Sequence, residues 1–175
     1  MTRKSLWAPW RSPYITGARK TGKGSRCIFC EKARSKADAR NLLIVRGRYA
    51  YCLLNLFPYN NGHALVVPYR HVRDLSALRE PEWLDLWRLA SDILQRMKKV
   101  LSPQGFNLGI NLGRAAGAGI PGHLHLHVVP RWIGDTNFMP ILTDTRVISQ
   151  SLDSAQRLLA DAGKPGRKRR VRRRS

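Results

Sequence analysis

Three of the chain's five histidines alternate with apolar residues in His123-Leu124-His125-Leu126-His127. If this run is a strand, its period of two sets the three imidazoles on one face and Leu124, Leu126 and Val128 on the other. A neutral imidazole attacks phosphorus well, leaves readily as a phosphoramidate and titrates near working pH. A second imidazole beside it can hand a proton to the leaving group, an effect typically worth about 10²- to 10⁴-fold. The chemistry that wants this arrangement is nucleophilic or metal-based. Burial for structure alone is a poor account, because every desolvated ring needs a hydrogen-bond partner. A polar strand face in solvent is the plain alternative.

Two further segments carry chemistry. Gly113-Arg114-Ala115-Ala116-Gly117-Ala118-Gly119-Ile120-Pro121-Gly122 leads into the histidines. Its glycines allow positive φ and close approach, so its amides could form a nest for phosphate oxygens; a flexible hairpin is the other reading. Cys27-Ile28-Phe29-Cys30 is a C-x-x-C pair, which in a reducing compartment favours metal or redox chemistry. With three cysteines in all, a disulfide scaffold is excluded, and Cys52 in its apolar surroundings reads as a buried core thiol.

The elements that must position these groups follow from pattern. Asn41–Val45, Tyr49–Asn55, His63–Pro68, Phe106–Leu112 and His123–Val129 are short, aliphatic and bounded mostly by Gly, Pro or Asn, which predicts five strands. Between the third and fourth, Trp83, Leu86, Trp87, Ala90, Leu94, Met97 and Leu101 recur every three or four residues, which predicts one long helix over Glu80–Leu101 with Pro81 in its first turn. The Trp83/Trp87 stripe is expected in the core. A weaker helix is expected from Val147 to Ala162, stopped by Gly163. This order of elements gives an α+β domain with a mainly antiparallel sheet.

Charge sets the outer bounds. The chain has 175 residues and a formal charge of +21, with eight positive charges between Lys164 and Arg174. That end, 163–175, reads as a disordered basic tail, suited to nucleic acid, ribosome or another polyanion, or simply to solubility. No apolar run approaches the roughly 20 residues of a membrane helix. The basic lead, 1–26, lacks the features of a secretory signal, so the expected location is cytoplasmic.

The run His-Leu-His-Leu-His-Val-Val resembles the signature of the histidine triad (HIT) family. The likeness extends to Cys27-Ile28-Phe29-Cys30, Asn55, Gly62-His63-Ala64-Leu65-Val66-Val67-Pro68, His71 and Asn111, in the family's order. The likeness covers roughly Cys27 to Trp132 and implies a HIT-like fold, assigned to 27–145, with a five-stranded sheet and a long helix paired into a homodimer; the C-terminal helix expected from periodicity takes 146–162. The likeness also implies a purine nucleotide or dinucleoside polyphosphate substrate, with His125 as the nucleophile and His127 and His63 as supporting histidines. Asn55 matches the ribose position and Asn111 the phosphate region, with Gly117 and Gly119 in the phosphate loop. Some family members with an early C-x-x-C bind zinc, and their four ligands map onto Cys27, Cys30, His71 and His123, a closed structural set. Where many members carry a hydroxyl or amide before the triad, this chain has Ala118, Gly119 and Ile120. That loop, the lead Leu6–Arg11 and Pro130–Phe138 resemble a bacterial branch related to diadenosine tetraphosphate phosphorylases. Such an enzyme cleaves its substrate through a histidine-nucleotidyl intermediate, by phosphorolysis or hydrolysis. A purine nucleoside phosphoramidase and a nucleotide-binding regulator associated with nucleic acid are the alternatives.

Overall fold

A computed structural model describes residues 27–135 and 148–164. The basic lead, residues 136–147 and the arginine-rich tail from 165 onward lie outside the described residues. Among the described residues no helix is long and apolar enough to cross a membrane. The elements are α1 (Ile28–Arg34), β1 (Leu43–Arg46), β2 (Ala50–Leu54), β3 (Ala64–Pro68), a 3₁₀ turn (Leu75–Ala77), α2 (Glu80–Leu101), β4 (Gly105–Ile110), β5 (Leu126–Arg131) and α3 (Leu152–Ala162). The five strands form one antiparallel sheet in the order β1-β2-β3-β5-β4. The expected α+β class and five-stranded sheet are both present.

Strand alternation divides the apolar side chains between two faces. Ala50, Cys52, Leu54, Ala64, Val66, Leu126 and Val128 pack with Leu86, Leu89, Ala90, Ile93 and Met97 of α2 and Ala155 and Leu159 of α3. Cys52 is fully buried there, as its surroundings suggested. The residues between, Tyr51, Leu53, Leu65 and Val67, form a second cluster with Leu43 and with Phe29 of α1. His63 and His127 belong by parity to this second face, opposite the helices. It is the face on which the chemistry collects.

Three differences from the sequence reading have physical causes. The long helix has the expected bounds, but its buried stripe runs through Glu82, Leu86, Leu89, Ala90, Ile93 and Met97. Trp87 is 48% exposed and Trp83 is half-buried against the small cluster around Val72. The two possible stripes share Leu86, Ala90 and Met97, and the sheet decides between them by seating Leu89 and Ile93 in place of an indole. Glu82 faces inward because it is used: it accepts from Arg70 at 2.6 Å and from the Arg79 amide at 2.8 Å at the start of α2. That pairing with Arg70 holds its carboxyl down at about 2.

The last strand begins at Leu126, not His123. Continuing the β3 register, in which Val66 faces Leu126, would set Leu124 opposite Pro68, which has no N–H to give. The Leu124 amide donates instead to the Val72 carbonyl at 2.6 Å. The trio therefore spans an extended approach and the first residues of a strand. The C-terminal helix starts at Leu152, where the Ser151 hydroxyl accepts from the Ser154 amide at 3.3 Å; Ile148 precedes it and Val147 lies outside the described residues. The short helix α1 carries no clear pattern in sequence.

Candidate active site and metal centre

His63 enters the site from a tight turn. Gly62 has φ +75°, and a Cβ there would fall 2.7 Å from Leu101 Cδ1, so the turn is built for glycine. The pairing of Leu65 with His127 across β3 and β5 then brings two imidazoles into contact, with His63 Nε2 2.9 Å from His127 Nδ1. Hydrogen-bond partners fix their tautomers. His63 Nδ1 accepts from the Tyr59 amide at 3.0 Å and faces the Asn55 Nδ2 amide at 3.3 Å. Two donors at that nitrogen leave it unprotonated, so His63 carries its proton on Nε2 and donates to His127 Nδ1. The proton of neutral His127 is then on Nε2, a buried atom with no hydrogen-bond partner among the described residues. A desolvated donor held ready in this way suits an oxygen that gains charge.

His125 is fixed in the same manner. Its Nδ1–H donates to the His123 carbonyl at 2.8 Å, which leaves the Nε2 lone pair free for attack. Its ring centroid lies 4.9 Å from that of His127. Burial pushes the pKa of His125 below its ordinary value, against the pull of the His123 carbonyl. Burial also pushes His127 down to about 4, with a smaller contribution from His125. Both rings are thus neutral near pH 7: one is a nucleophile in form, the other a donor.

A second cluster lies at the upstream end of the same run. One ligand atom each from Cys27, Cys30, His71 and His123 falls within 4.8 Å of all the others. His123 Nδ1 is 3.3 Å from Cys27 Sγ and 3.6 Å from Cys30 Sγ, and His71 Nδ1 is 3.4 Å from Cys30 Sγ. Zinc–sulfur bonds of about 2.3 Å and zinc–nitrogen bonds of about 2.0–2.1 Å at tetrahedral angles give S···N edges of about 3.5 Å. The donor set fits a closed tetrahedral zinc site. The outer nitrogen of His123 donates to the Pro68 carbonyl at 2.9 Å, the support usual for a ligating imidazole. Burial moves His123 down to about 4, keeping it unprotonated as a ligand must be. A thiol redox pair would need neither imidazole, and the convergence of both favours metal.

The remaining expected residues surround these clusters. Asn55 ends the β2 side of the turn, its Oδ1 accepting from the Phe57 amide at 3.1 Å while its amide nitrogen faces His63. Asn111 follows β4 and is half-buried. In the glycine loop Gly113 and Gly117 take φ +78° and +83°. The Gly117 amide donates to the Arg114 carbonyl at 2.9 Å, so an anion cradle in this loop starts from the exposed Gly119 onward. Two residues that the sequence did not single out stand against the histidines. The Tyr59 ring lies parallel to His127, 5.9 Å between centroids and 8° between planes. Phe29 touches both His123 and His125. Neither belongs to a spaced pattern of reactive residues, so pattern alone gave no signal for them.

A HIT domain profile matches residues 36–132. Over 159 residues the chain is 40% identical to the AP-4-A phosphorylase of Mycobacterium tuberculosis, covering 89% of this chain and 82% of that one. Over 97 residues it is 35% identical to the asymmetrical bis(5'-nucleosyl)-tetraphosphatase of Schizosaccharomyces pombe, which covers 55% of this chain and 53% of the relative. Among solved structures, a zinc-bound histidine triad family protein from Mycobacterium smegmatis superposes with a TM-score of 0.63 at 30% identity, covering 78% of this chain and 91% of the other. On the profile, the identity and the shared fold together, this chain belongs to the HIT family.

Proposed function

We propose that the protein cleaves dinucleoside polyphosphates of the diadenosine tetraphosphate kind through a nucleotidyl-histidine intermediate. The observation that carries this reading is the pair of fixed tautomers: a free lone pair on His125 Nε2 beside a free proton on His127 Nε2. The similarity to the AP-4-A phosphorylase supports the substrate class.

In the proposed reaction His125 Nε2 attacks the α-phosphorus. A phosphorus–nitrogen bond forms as the bond from phosphorus to the bridging oxygen breaks, and its electron pair leaves with the nucleoside polyphosphate. His127 Nε2–H donates to the departing oxygen, while the His123 carbonyl bonded at Nδ1 stabilises the positive charge gained by His125. His63 holds the donor tautomer of His127 from behind. Phosphate or water then attacks the same phosphorus from the vacated side and returns the electron pair to Nε2; the proton released when water attacks leaves to solvent. Asn55 and Asn111 are assigned to the ribose and phosphate regions, and the loop containing Gly117 and Gly119 to phosphate oxygens through its later amides. The cysteine and histidine tetrad is assigned to structural zinc, whose chemistry is to cross-link α1 to the approach of β5.

Incubation with diadenosine tetraphosphate tests the assignment and identifies the acceptor. Phosphorolysis gives ADP and ATP in the presence of phosphate, whereas hydrolysis gives AMP and ATP with or without it. Absence of both product pairs, with adenosine phosphoramidate cleaved instead, would transfer the assignment to a phosphoramidase.

The working unit in this reading is a homodimer. Strand β4 is a sheet edge with Leu108 and, just beyond it, Leu112 exposed, and Trp87 of α2 is exposed as well. An open edge with apolar neighbours is a template for pairing, here with β4 of a second copy into one continuous sheet. Sedimentation at micromolar concentration is expected to give twice the chain mass, and a monomer would remove this part of the reading.

A further inference from the structure

Phe29 occupies an unusual place for a residue without reactive atoms. It lies between the two cysteines of the C-x-x-C pair, near the start of α1, and is 3% exposed. Its ring meets His123 edge-on at 5.4 Å and 80°, and meets His125 at 5.2 Å and 51°. The backbone beneath it is pinned as well, since the Tyr51 hydroxyl donates to the Phe29 carbonyl at 2.7 Å inside the core. Leu43, Leu53, Leu65 and Val67 close the same cluster around it.

The His125 ring needs such a neighbour. One hydrogen bond, from Nδ1–H to the His123 carbonyl, leaves an imidazole able to swing about that contact. His127 stands on one side at 4.9 Å, and Phe29 supplies a second wall. We propose that Phe29 is a positioning residue for His125: packed against the rings of His123 and His125, it holds the nucleophile's Nε2 in line while the carbonyl fixes its tautomer. Because Phe29 is flanked by Cys27 and Cys30, the tetrad anchors the wall as well as the strand approach. A nucleophile displaced by about 1 Å can cost as much as 10²-fold in rate, so a wall made of carbon atoms is functionally significant. The inference rests on the assignment of His125 as nucleophile.

The test uses zinc-loaded, ¹⁵N-labelled protein. The His125 Nδ1–H proton, identified by its loss in His125→Ala, is expected as a slowly exchanging imidazole signal. In Phe29→Ala it should exchange at least about tenfold faster, and kcat per zinc-loaded chain should fall about tenfold, the upper end of what one aromatic pair supplies. KM should stay within about twofold, because Phe29 is buried behind the histidines and binding groups lie elsewhere. Phe29→Leu keeps apolar volume without the flat ring, so it should restore part of both readouts and fall about threefold short of wild type. Should Phe29→Ala not fold, Phe29→Leu carries the test alone. A wild-type rate and wild-type exchange in the folded variant would overturn the inference, as would a rate that falls only in proportion to lost zinc. If His125→Ala itself retains turnover, the nucleophile assignment fails first; if it is inert while the Phe29 variants match wild type, only the positioning role fails.

Discussion

Replacing His125 by alanine is expected to lower turnover of diadenosine tetraphosphate by roughly four to six orders of magnitude, the scale on which removal of a nucleophile acts when it works as part of a unit. No nucleotide adduct should then be detected by intact mass, whereas wild type mixed rapidly with substrate should show one. The fold should survive, because His125 contributes one hydrogen bond to a backbone carbonyl and the cluster behind it is built from Phe29, Leu65 and Val67. His127→Ala offers the informative contrast. It removes a donor to the leaving oxygen but leaves the attacking lone pair, so a loss of about 10²- to 10³-fold is expected. Retention by His125→Ala of more than about one part in a hundred of wild-type turnover would assign the attack to another group, since partial losses of that size come from support residues and not from nucleophiles.

Zinc removal is expected to have the second largest effect, read as stability. Protein purified without chelator should hold close to one zinc per chain, bound by Cys27, Cys30, His71 and His123. Structural zinc supplies about 10 kcal/mol or more in peptides that have no other core. This chain keeps the large cluster between the sheet and α2 without it, so the loss should be smaller and centred on α1 and the approach to β5. A loss of about 5 kcal/mol would lower the thermal midpoint by about 10–20 °C in a chain of this size, with Cys27→Ser and Cys30→Ser giving similar drops. Protons compete with metal for both thiolates and imidazoles, so stripping should become easier as pH falls. A metal-free preparation with an unchanged midpoint would remove the metal centre from the account. Activity should fall with zinc as well, because the His123 side chain belongs to the proposed ligand set while its carbonyl holds the His125 tautomer. One residue serves both clusters.

The exposed Trp87 and the inward Glu82 illustrate where the amino-acid pattern stops. Periodicity located α2 to the residue because helix ends and apolar spacing are local properties. Its buried face was ambiguous, since neighbouring stripes share residues, and only the small side chains of β2 and β3 decided which leucines would seat. Likewise, the alternation in His123–His127 showed that the imidazoles share a side, which follows from chain geometry alone. It could not show that the strand begins at Leu126, because that depends on Pro68, distant in sequence, standing where Leu124 would otherwise pair.

The histidine run that suggests phosphoryl chemistry was therefore legible as a set of residue types at fixed spacing, as were the C-x-x-C pair, the α+β class and the five strands. All of these rest on short-range order along the chain or on the chemistry of single side chains. The tautomers of the histidines were decided by tertiary structure. Which ring nitrogen carries the proton depends on partners that the chain brings from elsewhere: the Tyr59 amide at His63, His63 at His127, and the Pro68 carbonyl at His123. Phe29 and Tyr59 entered the site for the same reason. A hydrogen bond or a ring contact is a relation between distant residues, and only the folded chain sets its direction.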